Sequence, residues 1–122
     1  MLRSMMQVVV NDSADALEFY RNAFGAEVRC KYTDSEGRIM HAELNVFGQV
    51  LAVCDLMGEK ADAGSTMMFC LEFGEGKEET VRKIYDALKE GAVECPPLVP
   101  CDYSTLQSVL VDKYGVRWCI YV

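Results

Sequence analysis

The stretch Asp15-Ala16-Leu17-Glu18-Phe19-Tyr20-Arg21-Asn22-Ala23-Phe24-Gly25-Ala26 decides the fold. Its apolar residues Ala16, Leu17, Tyr20, Ala23 and Phe24 recur at helical spacing, and Gly25 can take the left-handed conformation that ends a helix. Asn11-Asp12-Ser13 stand just before it, with side chains that can accept hydrogen bonds from the free N–H groups of a first turn. The same ending returns at an offset of 66 residues. From about Lys77 to Glu90 a second helix is expected, with Val81, Ile84, Tyr85 and Leu88 at i, i+3, i+4 and i+7 and Gly91-Ala92 closing it.

Strand-like segments surround both helices. Met5 to Val10 precedes the first; Glu27 to Tyr32, Arg38 to Phe47 and Val50 to Cys54 follow it, separated by Asp34-Ser35-Glu36-Gly37 and by Gly48. In the second half, Thr66 to Phe73 precedes the helix, and Val93 to Cys95, Ser108 to Val111 and Val116 to Val122 follow it. Each half therefore reads β-α-β-β-β, an α+β pattern. We expect a single domain over residues 1–122: module one about 1–56, a linker over 57–65 and module two over 66–122. A module this small leaves one sheet face apolar and wet, so the two must pair, within one chain or by exchange between two. The concave face between them is the natural pocket.

Composition removes several classes of function. The chain has 122 residues, 51% of them hydrophobic, and a formal charge of −7. Nucleic-acid binders and proteins of anionic membrane surfaces gain affinity from Lys and Arg, so neither partner suits this balance. The opening Met1 to Val10 is too short and too polar for a signal peptide or a membrane span. Six cysteines could form three disulfides, but Cys30, Cys54, Cys70 and Cys119 lie in apolar strand-like runs and read as buried reduced thiols of a cytoplasmic protein. With one histidine and no C-x-x-C, no zinc-site spacing is present.

The run Ala16 to Val28, with Met40-His41-Ala42-Glu43-Leu44 and Tyr114-Gly115-Val116-Arg117-Trp118, resembles the vicinal oxygen chelate superfamily of glyoxalase, bleomycin resistance and dioxygenase proteins, in its PhnB-like branch. The resemblance covers nearly the whole chain. It implies two βαβββ modules forming a U-shaped mixed sheet, a homodimer, and a pocket in each half for a small-molecule ligand. Metal-dependent members carry His, Gln or Glu ligands on the first, fourth, fifth and eighth strands. By this alignment those places hold Met5, Val53, Met68 and Cys119, with Cys54 the neighbour on the fourth strand. None is an oxygen or imidazole donor of the kind that hard divalent ions need, so a metal-free pocket with no cofactor is expected.

Around those places other residues gain meaning from strand parity. Gln7 shares a face with Met5, as Cys70 does with Met68 and Arg117 with Cys119. Gln7 reads either as the amide that orients a ligand or as a core amide; Arg117 reads as a partner for an anionic ligand or as a surface ion pair. Tyr103 is a candidate pocket lid, beside the proline-flanked thiols Cys95 and Cys101. His41 could act as a general base, and it also alternates with Glu43 along one strand face, which suits a structural hydrogen-bonded pair. Trp118 has the opposite parity and belongs to the core. No catalytic residue is assigned. The expected function is binding of a small organic ligand, with a metal-dependent lyase or dioxygenase-like enzyme, or a structural dimer with a vestigial pocket, as alternatives.

Overall fold

A computed structural model describes every residue from Met1 to Val122, and the chain divides into two compact units, Met1–Asp62 and Ala63–Val122. The first contains β1 (Met6–Val10), α1 (Ser13–Phe24), β2 (Glu27–Thr33), β3 (Ile39–Val46) and β4 (Gln49–Asp55). The second contains β5 (Phe69–Glu72), α2 (Glu78–Leu88), β6 (Val99–Cys101), β7 (Ser104–Val111) and β8 (Arg117–Tyr121). Both are βαβββ modules with mixed four-stranded sheets, ordered β1-β4-β3-β2 and β5-β8-β7-β6. In each, the strand before the helix pairs in parallel with the last strand, and the remaining pairs are antiparallel.

Each helix covers one face of its own sheet. Leu17, Tyr20 and Phe24 of α1 are buried, over a sheet face that carries Val8, Val10, Ala42, Leu44, Leu51 and Val53. In the second unit, Val81, Ile84 and Leu88 of α2 are buried, over a face of β7 and β8 that includes Leu110, Trp118 and Ile120. Trp118 is 0% exposed and its ring lies 5.2 Å from that of Phe69. Burying each large apolar side chain contributes about 1.5–3 kcal/mol, so these two faces supply most of the folding energy.

Two buried side-chain knots fix the ends of the core strands. Ser13 Oγ donates to Asp55 Oδ2 at 2.7 Å and accepts the Ile39 N–H at 2.9 Å, while Asp55 Oδ1 accepts the Met57 N–H at 2.7 Å. The expected cap is therefore absent: Asp12, at the N-cap, makes no side-chain cap bond and sits in the left-handed region at φ 52°. In the second unit, Asp112 Oδ1 accepts the N–H groups of Tyr114 and Val116 at 2.9 and 3.0 Å, and Oδ2 accepts Trp118 Nε1–H at 2.9 Å. At the other end of α1, Gly25 is left-handed at φ 57° and the Ala26 N–H reaches the Arg21 carbonyl at 2.9 Å, which closes the helix.

Two expectations need correcting. No strand forms at Val93–Cys95, where only Glu94 bridges to Val111; the third strand of the second unit is Val99–Cys101, with Pro100 inside it. Proline is tolerated there because β6 is an edge strand. All six cysteines are free, but of the four placed in apolar runs only Cys119 is buried; Cys70 is exposed and Cys30 and Cys54 are half-buried. They occupy faces that no helix covers.

Replacing Asp112 by alanine strands the Trp118 indole N–H and two backbone N–H groups away from their acceptor. We expect a loss of about 3 kcal/mol for Asp112→Ala, against about 1–2 kcal/mol for Ser13→Ala. Urea titration reads both as a lower midpoint with an unchanged slope.

Candidate functional site

On the first sheet, the face turned away from α1 carries polar chemistry. Register aligns Gln7, Ala52, Glu43 and Cys30 in one row across β1, β4, β3 and β2. Beside it stand the paired residues Val9 and Cys54, and His41 and Tyr32. Because side chains alternate along a strand, His41 and Glu43 share this face of β3. His41 Nε2 lies 3.0 Å from Glu43 Oε1. Arg3, ahead of β1, grips the same carboxylate with both nitrogens, Nη2 to Oε1 at 2.6 Å and Nη1 to Oε2 at 3.1 Å.

Glu43 is only 5% exposed, a position that disfavours a lone carboxylate. The hydrogen bond from Arg3, followed by that from His41, outweighs desolvation and holds its pKa down to about 2. Cys30 completes the cluster: one ligand atom each from Cys30, His41 and Glu43 lie within 4.8 Å of one another. The paired reading of His41 and Glu43 is the one the geometry supports. Sequence reasoning missed Arg3 and Cys30 here, although Arg3 shares odd parity with Met5 and Gln7.

In the second unit, the face away from α2 brings Cys70, Cys119 and Val109 into register, with Glu72, Tyr121 and Gln107 beside them. Burial pushes the Cys119 thiol up, so it is a poor thiolate nucleophile. Arg117 lies on the same face; its Nε is buried without a hydrogen-bond partner and its Nη1 stays 3.9 Å from Glu94. The exposed Tyr103 packs edge-to-face on Tyr121 at 5.5 Å and, with Glu72, Gly74 and Thr105, lines a depression of about 260 Å³. A larger polar depression of about 690 Å³ lies at the start of α1, among Asp12, Asp15, Arg38 and Asp55, and gathers none of the expected site residues.

The structure thus places Gln7, Cys70, Arg117 and Cys119 on helix-free faces, and Met5 and Met68 immediately before β1 and β5. Val53 is the correction. At 0% exposure it sits on the face of the first sheet that α1 covers, paired with Val8 and Ala42, while Cys54 takes the opposite face. Val50 to Cys54 is uniformly apolar, so nothing in its pattern marks which side faces out.

The donors on the helix-free faces of the first, fourth, fifth and eighth strands do not fit a hard divalent ion. β1 and β4 offer Gln7, Val9, Ala52 and Cys54; β5 and β8 offer Cys70, Glu72, Arg117, Cys119 and Tyr121. Glu72 is the single carboxylate among them, and Tyr121 donates to it at 3.4 Å. Replacing an ion's hydration shell takes several charged oxygens or imidazoles.

Residues 4–120 match the family model of the Glyoxalase/Bleomycin resistance protein/Dioxygenase superfamily. Comparison with the curated proteins finds no significant match. Among solved structures, the chain is similar to a protein from Pseudomonas aeruginosa, at 20% identity and a TM-score of 0.81, covering 99% of this chain and 97% of that one. It is also similar to a PhnB protein from Bacillus cereus, at 21% identity and a TM-score of 0.75 over 98% of both chains. The fosfomycin resistance protein FosX from Listeria monocytogenes follows at 13% identity and a TM-score of 0.72, covering 98% of this chain and 91% of that one. In a further structure that Listeria protein holds Mn(II) and dihydroxypropylphosphonic acid. At such identities these likenesses show the fold.

The depressed Glu43 pKa has a consequence for acid stability. A carboxylate whose folded pKa lies below its unfolded value contributes stability above the unfolded pKa and loses it as pH falls toward the folded one. We expect the urea midpoint to drop between roughly pH 5 and pH 2, and this part of the drop to be missing from Glu43→Gln. Parallel urea titrations across that range decide it; identical acid limbs would remove Glu43 as the cause.

Proposed function

Because the chain belongs to the Glyoxalase/Bleomycin resistance protein/Dioxygenase superfamily, we propose that it is a PhnB-like binding protein for a small organic ligand with an anionic or strongly polar group, held in a metal-free pocket. The observation that carries this reading is Arg117. Its buried Nε has no partner and its ion pair with Glu94 is loose at 3.9 Å, so the guanidinium keeps donors for a carboxylate-like or phosphate-like group. On the same face, Cys119, Val109 and Cys70 stand in one row across the sheet and give the site a soft apolar wall.

The alternative, a metal-dependent lyase or dioxygenase-like enzyme, draws support from the Mn(II) of the Listeria protein. The thioether, thiol and amide groups at the corresponding strands of this chain weigh against it. No helix is long and apolar enough to cross a membrane. Six free thiols support a reducing cytoplasm as the compartment, and the two helix-free sheet faces support a homodimer as the working form.

A thermal-shift screen of small carboxylates and phosphorylated metabolites tests the binding role. A ligand at about 100 times its Kd adds about 2.7 kcal/mol and raises Tm. Arg117→Ala should weaken the hit about tenfold or more, the worth of a charge-assisted bond, and dialysis against a chelator should leave binding unchanged. Binding or turnover that requires added Mn(II) or Ni(II) would establish the metalloenzyme instead. Light scattering on dilute protein should give about twice the 13.7 kDa chain mass; a clean monomer would remove the homodimer.

A further inference from the structure

We propose that Cys30, His41 and Glu43 form a binding site for a divalent ion of the zinc class, which Arg3 holds shut in the metal-free chain. The site lies on β2 and β3, away from the strands that carry the metal ligands of metal-dependent relatives. Three kinds of observation lead there: donor chemistry, donor spacing, and a cation already seated on the carboxylate.

One thiol, one imidazole and one carboxylate make a mixed S, N, O donor set. Zinc accepts such a set, with three protein ligands and a fourth position left for water, whereas Mg²⁺ and Ca²⁺ demand oxygens throughout. Cys30 as thiolate and Glu43 as carboxylate bring two negative charges to a dication, and neutral His41 adds none. Zinc–ligand bonds of about 2.0–2.3 Å put the donors of a tetrahedral site roughly 3.3–3.8 Å apart. Here the donor atoms lie within 4.8 Å of one another, and His41 Nε2 is already 3.0 Å from Glu43 Oε1. Small side-chain rotations therefore suffice. The backbone is set in advance, since Cys30 stands directly opposite Glu43 in the β2–β3 ladder and His41 is two residues from it on the same face.

Arg3 supplies the missing positive charge in the metal-free state. Its guanidinium binds both oxygens of Glu43, yet its side chain is half exposed and it precedes the first strand, so it can swing into water once a metal takes its place on the carboxylate. Metal uptake would then exchange a monocation for a dication: Arg3 leaves still protonated, Cys30 gives its proton to solvent, and Glu43 passes from guanidinium to metal. Such a site tightens as pH rises, because the thiol must ionise.

The experiment titrates zinc into the full chain, freed of metal and kept reduced with a phosphine, against a chromophoric chelator, and repeats the titration with cobalt. We expect one equivalent per chain and a near-ultraviolet thiolate-to-cobalt band. Cys30→Ser should abolish the band and weaken zinc at least tenfold, His41→Ala should weaken it similarly, and a change at the exposed Cys95, Cys95→Ser, should change neither. Arg3→Ala should bind severalfold tighter, a gain that misfolding cannot imitate. No zinc uptake by either the native chain or Arg3→Ala overturns the proposal, as does undiminished zinc affinity in Cys30→Ser or its loss in Cys95→Ser. Arg3→Ala binding no tighter than the native chain overturns the role of Arg3.

Discussion

A sheet has two faces, and each unit of this protein has one helix to cover them. That inequality governs the molecule. The covered face can be wholly apolar, and it is: Leu17, Tyr20 and Phe24 in one unit and Val81, Ile84 and Leu88 in the other supply the helical side of the core. The uncovered face must tolerate water, a ligand or another chain, and it collects the side chains that can take part in chemistry. A one-residue shift in any strand would exchange the two sets. The buried knots of Ser13 with Asp55 and of Asp112 with Trp118 matter because they pin strand ends and so resist that shift.

The two uncovered faces have parted in character. On the first sheet a carboxylate, an imidazole and a guanidinium form a charged network around Glu43. On the second, thiols and aromatic rings prevail, with Arg117 as an under-used cation. The same arrangement of elements thus carries hard, proton-bearing groups in one half and soft, polarisable groups in the other. Burial pushes the Cys119 thiol up, which suits a wall that a ligand lies against better than one that attacks it.

Much of this architecture was legible in the sequence, because helical spacing and the repeated Gly-Ala ending are strong local signals. Gly25 closes α1 as its position suggests. The failures have physical causes. Ser13 looked like part of a cap, but its hydroxyl is drawn to Asp55 and to the Ile39 N–H, partners far away in sequence. Val53 was assigned to the wrong face because an all-apolar strand carries no parity mark. The third strand of the second unit is expected at Val93–Cys95 and forms at Val99–Cys101 instead, since local composition cannot say which residues a neighbour's ladder will select. At the candidate site, the His41–Glu43 alternation was visible along one strand, whereas Arg3 and Cys30 reach the carboxylate across strands, and such contacts exist only once register is set.

The β2–β3 ladder also bears on how the chain survives crowding. β2 is an edge of its sheet, seven residues long and largely exposed, the kind of strand onto which stray chains add. Its pairing with β3 slips twice, between Val28 and Cys30 and between Tyr32 and Thr33, and Glu27, Arg29 and Lys31 punctuate it with charge. A bulged, charged edge is twisted out of line and makes a poor template for fibril-like growth. The fold thus guards this border against aggregation and keeps β2 from recruiting stray chains.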